Sequence, residues 1–167
     1  MALQRLIICN TSPLINLAET GLLGLLGLLP GRPCIPPAVR AELKVKSALF
    51  AKAGQAADSD QFQRLAPEDS LLVRSFSATL HSGESECLAL AMEHPGSLLI
   101  LDDLSARAVA SANDLPFTGT LGVLSIAKSQ GHVTALAPVL HDLKALARFW
   151  ISPQLEQAIL RDAGEIE

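Results

Sequence analysis

Tyrosine is missing from this chain of 167 residues, and tryptophan occurs once, as Trp150. With only five phenylalanines besides, there is little from which to build an aromatic platform, and sequence-specific readout of a nucleic acid has no support. Positive charge is also short. Thirteen Lys and Arg against 17 Asp and Glu leave a net charge of −4, which argues against nucleic-acid binding by bulk electrostatics while leaving room for a local basic patch. Three cysteines occur, Cys9, Cys34 and Cys87, each among apolar neighbours and none in a CxxC spacing or beside a histidine cluster. They read as buried thiols of a reducing compartment, not as a disulfide framework or a zinc site. His81, His94, His132 and His141 are scattered, and Ser12 and Ser82 have no histidine at a telling spacing, so a serine or cysteine nucleophile is not expected.

Long apolar runs are lacking too. The longest leucine-rich stretch, "GLLGLLGLL" from Gly21 to Leu29, is about half of the ~20 residues that span a bilayer and is broken by Pro30-Gly31. The start "MALQRLIICN" has too short an apolar run for a signal peptide and leads directly into a strand pattern. These features predict a cytoplasmic protein without a membrane partner. What is present is abundant Leu, Ala, Val and Ile: with 49% of residues apolar, the chain can bury a real core, and a single domain is expected.

Strand and helix signals alternate along the chain. Leu6-Cys9 is an apolar run of the kind buried on both faces of a parallel sheet, and "NTSP" follows as a helix start, with Thr11 or Ser12 as cap and Pro13 as first helical residue. "PCIPPAVRAEL" repeats this grammar, with Cys34-Ile35 strand-like and a helix from Pro36-Pro37 to about Leu49. Residues 51–69 read as a surface connection or weak helix. Ser82-Gly83 opens a helix that Pro95-Gly96 ends; Leu98-Leu101 is a buried strand; Ser105-Asn113 is helical; Pro116-Thr118 is a short strand. After Gly119 the chain is helical, with a turn at Gln130-Gly131, a helix begun by Pro138, and a last one capped by Ser152 and stopped by Gly164. The pattern predicts an α/β fold with a mostly parallel sheet.

In such a sheet, ligands sit beyond the carboxyl ends of the strands. That edge would receive Asn10 after the first strand, Glu42 in the second turn of its helix, Glu84 and Glu86 in the first turns of theirs, and Asp102-Asp103 after the Leu98-Leu101 strand. Carboxylates held together destabilise a fold unless cations or protons neutralise them. Hard oxygen ligands without His or Cys favour Mg²⁺ or Mn²⁺, and such a site can activate water against a phosphodiester. Taken singly, Glu84 and Glu86 can serve the helix dipole, Glu42 can be a solvated helix residue, Asp103 can cap the next helix, and Asn10 can be a turn residue. Their convergence on one edge is what favours a metal site. Aspartyl-nucleophile phosphatases and receiver domains need a carboxylate after strand one, which "CNTS" lacks.

The segments "CNTSPLINLAETGLL", "IPPAVRAEL", "SGESECLALA", "LLILDDLSARAVA", "FTGTLGVLSIAKSQG" and "FWISPQLEQAILRDAGE", in this order and over nearly the whole chain, resemble the PIN-domain family, in particular a prokaryotic subgroup related to VapC-type toxin ribonucleases. The resemblance implies a three-layer sandwich, with a core over about residues 5–130 and a C-terminal helical extension over about 133–165. It implies a Mg²⁺- or Mn²⁺-dependent ribonuclease acting on single-stranded RNA, a toxin of a toxin-antitoxin pair with a small antitoxin as partner, and a homodimer. The family's acids fall on Asn10, Glu42, Glu84 or Glu86, and Asp102 with Asp103 adjacent; the Glu84-to-Asp102 spacing matches the toxin pattern better. Glu42, Glu84 and Asp102 are then the catalytic candidates. Asn10 stands where the family carries aspartate, so the site loses one negative charge, its hold on the ion is weaker, and a base role passes elsewhere. RNA would approach through Arg40, Lys44, Lys46 or Arg107. The competing implication is a catalytically weak PIN-like protein that binds an antitoxin or serves as a regulatory module.

Overall fold

A computed structural model describes residues 5–167. Its centre is a five-stranded, all-parallel sheet built from β1 (Leu6–Cys9), β2 (Arg32–Ile35), β3 (Gln63–Arg64), β4 (Leu98–Ile100) and β5 (Phe117–Thr118), in the order β3-β2-β1-β4-β5. β1 is central, with Ile8 registered on Cys34 of β2 and on Leu99 of β4. Helices flank the sheet, so Ile7, Ile8, Cys9, Leu99 and Ile100 are fully buried, as expected of apolar strands covered on both faces. Cys34 and Cys87 are buried beside them as free thiols, and burial pushes the Cys34 thiol up to about 12.

α1 (Thr11–Glu19) follows β1, and α2 (Pro37–Val45) follows β2. The start of α1 differs from the sequence expectation. Its first residue is Thr11, Asn10 occupies the cap position without a capping side-chain bond, and Pro13 is the third helical residue, still within the turn whose N–H groups need no helical partner. α2 does begin at Pro37, but it stops at Val45 and gives way to a 3-10 turn at Lys46–Ala48. The segment 51–69, expected as a surface connection or weak helix, holds the short α3 (Ala51–Ala56) and then the edge strand β3; α4 (Ser70–Ser77) follows it, capped by Asp69, which accepts from Leu71 and Leu72.

α5 (Ser82–Glu93) carries buried Leu88, Leu90 and Ala91 and packs on β1 and β4. α6 (Leu104–Ala112) joins β4 to β5. The chain thus leaves β1 toward β2 on one side and leaves the adjacent β4 toward β5 on the other. This reversal opens a crevice at the carboxyl ends of β1 and β4.

α7 (Thr120–Ser129), α8 (Leu136–Leu146) and α9 (Pro153–Asp162) form a second apolar cluster, with Leu124, Ala127, Leu136, Leu140 and Leu143 buried and Phe149, Ile159 and Leu160 packed against them. α8 begins two residues before Pro138. Glu165 satisfies its opening N–H groups, accepting from Leu136 at 2.5 Å and Ala137 at 2.9 Å. Among the described residues, no helix is long and apolar enough to cross a membrane.

Candidate functional site at the carboxyl edge of the sheet

The crevice is a cavity of about 680 Å³. It is lined by Asn10, Glu42, Glu84, Asp102 and Asp103, with the exposed Lys46 and His81 and the aromatic pair Phe149-Trp150. A smaller cleft of about 380 Å³ at the opposite edge includes Arg5, Arg32 and His94. Its one carboxylate, Glu93, is occupied by the N–H groups of Glu68 and Asp69.

Asn10 is held by its backbone: its N–H donates to the Ile100 carbonyl at 3.1 Å, extending the β1-β4 pairing by one residue past the strand. Asn10 is 3% exposed, and its Oδ1 is buried without a hydrogen-bond partner. Such an orphaned acceptor carries a desolvation cost of about 1–3 kcal/mol unless something binds it.

Glu42 reaches across from α2. One oxygen accepts from Thr11 Oγ1 in a short hydrogen bond, and the other accepts from the Gly83 N–H at 2.8 Å. It therefore ties the start of α1 to the start of α5. A Cβ on Gly83 would lie 2.7 Å from Glu42 Oε2, so glycine is what lets the carboxylate come this close.

Glu84 is 8% exposed and accepts from the His81 N–H at 3.0 Å. Burial raises its pKa, the His81 N–H lowers it, and the neighbouring Asp103 and Glu42 raise it further. Asp103 caps α6 by accepting from the Ala106 N–H at 2.8 Å while still lining the cavity.

Asp102 is the most firmly oriented of the set. Asn16 Nδ2 donates to its Oδ2 at 2.9 Å, Thr120 Oγ1 donates to the same oxygen at 2.6 Å, and the Thr120 N–H donates to Oδ1 at 2.8 Å. Arg107 Nη2 stands 3.7 Å from Oδ1, while Arg107 Nε donates to the Leu101 carbonyl at 2.8 Å. Gly119 makes room for this arrangement, since a Cβ there would lie 2.6 Å from Asp102 Oδ1 and 2.9 Å from the Leu101 carbonyl oxygen.

Three of the sequence candidates lie elsewhere. Glu86 accepts from the Ala38 N–H at 2.7 Å and so satisfies the start of α2, which Pro36 and Pro37 cannot cap with side chains. Residues two apart on a helix point about 200° away from each other, so Glu84 and Glu86 cannot both face the cavity. Arg40 and Lys44 pair with Asp58 at 2.5 and 3.2 Å, on the side of α2 that meets the end of α3, and neither lines the cavity. Lys46 does line it. Two residues with a place at this edge carried no sequence expectation: Asn16, whose buried amide among Leu14, Ile15 and Leu17 was the available signal, and Thr120. Trp150, distant in sequence, is brought back to the cavity by the C-terminal helices.

The oxygen chemistry fits a hard cation. Asn10 Oδ1 is unpartnered, Glu84 is a carboxyl raised by burial and like charge, and Asp102 is held rigid by neutral donors. Among the described residues, no group of three or more His, Cys, Asp or Glu side chains is arranged to hold a metal ion unaided. Mg²⁺ commonly takes only one or two carboxylates and keeps its remaining positions for water and substrate phosphate.

Comparison with curated proteins and with solved structures gives no significant match. A family model described as a PIN domain matches residues 6–165, which takes in the whole sheet, the acidic edge and the three C-terminal helices, and the chain belongs to the PIN-domain family.

Proposed function

We propose that the protein is a Mg²⁺- or Mn²⁺-dependent endoribonuclease that hydrolyses phosphodiester bonds of single-stranded RNA at the acidic edge. The observation that carries this reading is the buried, unpartnered Asn10 Oδ1 in a cavity that also gathers Glu42, Glu84, Asp102 and Asp103. Asn10, Asp102 and Asp103 would hold the ion. When bound, it supplies positive charge for the phosphate oxygens and makes a coordinated water more acidic.

The chain's own residues then have distinct tasks. Asn16 and Thr120 fix the Asp102 carboxylate so that it does not reorient when substrate arrives. Glu42 locks the starts of α1 and α5, which keeps Asn10 and Glu84 on one side of the crevice. Glu84, with its raised pKa, is the carboxylate suited to take the proton of the attacking water. The water oxygen bonds to phosphorus, the bond from phosphorus to the leaving sugar oxygen breaks, and that oxygen takes a proton from solvent. Lys46 and Arg107 supply positive charge beside the acids. A toxin role, with a small antitoxin as partner and a homodimer as the working form, is the setting this reading implies.

Calorimetric titration with Mn²⁺ tests the site independently of any substrate. Saturable binding by the wild type that is lost in Asp102→Ala supports the reading; no heat of binding at millimolar Mn²⁺ rejects it.

A further inference from the structure

The turn after α8 sets Trp150 in an unusual place. Arg148 adopts a left-handed backbone with φ 56°, and the Phe149 N–H returns to the Leu143 carbonyl at 3.1 Å. Ser152 then caps α9 by accepting from Leu155 at 3.2 Å, so the short segment is tied down at both ends. Phe149 packs against the C-terminal core, while Trp150 is left 80% exposed. Both residues line the acidic cavity and also a second cleft of about 540 Å³, which shares Asp102 with it and runs on past Arg107 and Phe117 to the exposed Leu104 and Leu155. The Arg107 guanidinium lies 5.6 Å from the centre of the Phe117 ring, within cation–π range.

We propose that this second cleft receives a nucleobase next to the scissile phosphate of single-stranded RNA, and that Trp150 stacks on that base. The inference rests on the nuclease reading of the acidic edge. A strand whose phosphate lies at Asp102 would lay a neighbouring base along one of the walls beside it, and the Phe149-Trp150 side, which continues into the second cleft, offers the broad exposed face of an indole. The charge balance points the same way. With a net charge of −4 and four carboxylates at the cavity, phosphate attraction supplies little affinity, whereas stacking is indifferent to charge and tolerant of base identity. Arg107, held by Phe117 and the Leu101 carbonyl, sits where the strand would pass between the two clefts.

Trp150 is the sole tryptophan, so intrinsic fluorescence reports on this ring alone. Titration of the protein with a short oligouridine in EDTA is expected to give saturable quenching. Binding of the same oligonucleotide, read by anisotropy of an attached dye, should weaken about tenfold or more in Trp150→Ala and much less in Trp150→Phe. Mn²⁺ affinity should be unchanged in both variants. Quenching without cleavage in Mn²⁺ keeps the stacking site and removes the nuclease reading. Cleavage with unaltered Trp150 emission, or an oligonucleotide affinity indifferent to Trp150→Ala, overturns the stacking site and leaves the nuclease reading standing. Emission that ignores RNA but shifts with a protein partner likewise overturns it.

Discussion

Asn16 donates its side-chain amide to Asp102 across 86 positions of sequence, at 2.9 Å, from the buried face of α1 to the end of β4. The same amide also reaches Thr120 Oγ1 at 3.1 Å. Asn16 therefore contacts both Asp102 and Thr120, the other residue that holds Asp102 in place. Replacing partners of metal-binding groups typically weakens an ion by about 10–100-fold. Asn16→Ala is expected to lower Mn²⁺ affinity within that range while the Thr120 contacts keep the chain folded. Calorimetry beside a thermal melt separates the effects: unchanged affinity would show that Asn16 has no part in positioning Asp102.

Gly119 is extended, with φ −130°, so the backbone there would accept any residue. Space would not. A Cβ would strike Arg107 and come within 3 Å of both Asp102 Oδ1 and the Leu101 carbonyl, and the last of these is backbone that cannot swing away. Gly119→Ala should destabilise by about 1–3 kcal/mol, as overpacking does, and should weaken Mn²⁺ binding as well. Urea unfolding with and without Mn²⁺ checks both, and a variant as stable as wild type would show that the edge is more pliant than its geometry suggests.

The ends of α6 and α9 use one design with different residues. Leu115 and Asp114 return to the Ala110 and Ser111 carbonyls, just as Glu165 and Gly164 return to Leu160 and Arg161. The left-handed position is Gly164 in one helix and Asp114, at φ 54°, in the other. Asp114 meets both a steric cost and the negative end of the α6 dipole. Asp114→Gly should therefore raise stability by about 0.5–1 kcal/mol, seen as a melting temperature higher by about 1–4 °C.

The N–H groups of Leu136 and Ala137, with Lys128 at 3.2 Å, hold Glu165 below its ordinary pKa of 4.5. A carboxyl whose folded pKa is lowered contributes stability above its unfolded pKa and loses it as pH falls through the folded value. Glu165→Gln should thus melt at lower temperature than wild type at neutral pH, and the gap should close only below pH 4.5. A gap that does not change with pH would assign the contribution to shape instead of charge.

The central strands and the acidic edge were readable in the sequence because their signals are local. "LIIC" and "LLI" are apolar runs bounded by helix starts, and strand-helix alternation places Asn10 and Asp102 at one edge. β3 was not readable, because an edge strand of two residues, Gln63 and Arg64, leaves no apolar period. The spacing to Asp102 already favours Glu84 over Glu86, but the task Glu86 performs instead, serving the start of α2, rests on a long-range contact that its neighbours do not announce. Arg40 and Lys44 face Asp58 because α3 folds back on α2, a long-range event that their own neighbours do not announce. The return of Trp150 depends on a left-handed arginine, and nothing in residues 145–150 marks that turn in the way a glycine would.

Cleavage of a labelled single-stranded RNA in Mn²⁺, run side by side on wild type, Asn10→Asp and Asp102→Ala, bears most directly on whether the acidic edge is a working nuclease site. The wild type should cleave and be stopped by EDTA, Asp102→Ala should be silent, and Asn10→Asp should cleave faster or at lower Mn²⁺, because it restores a charged ligand at the end of β1. Silence of the wild type beside an active Asn10→Asp would mean a site disabled by its amide, and silence of both would contradict the ribonuclease reading outright.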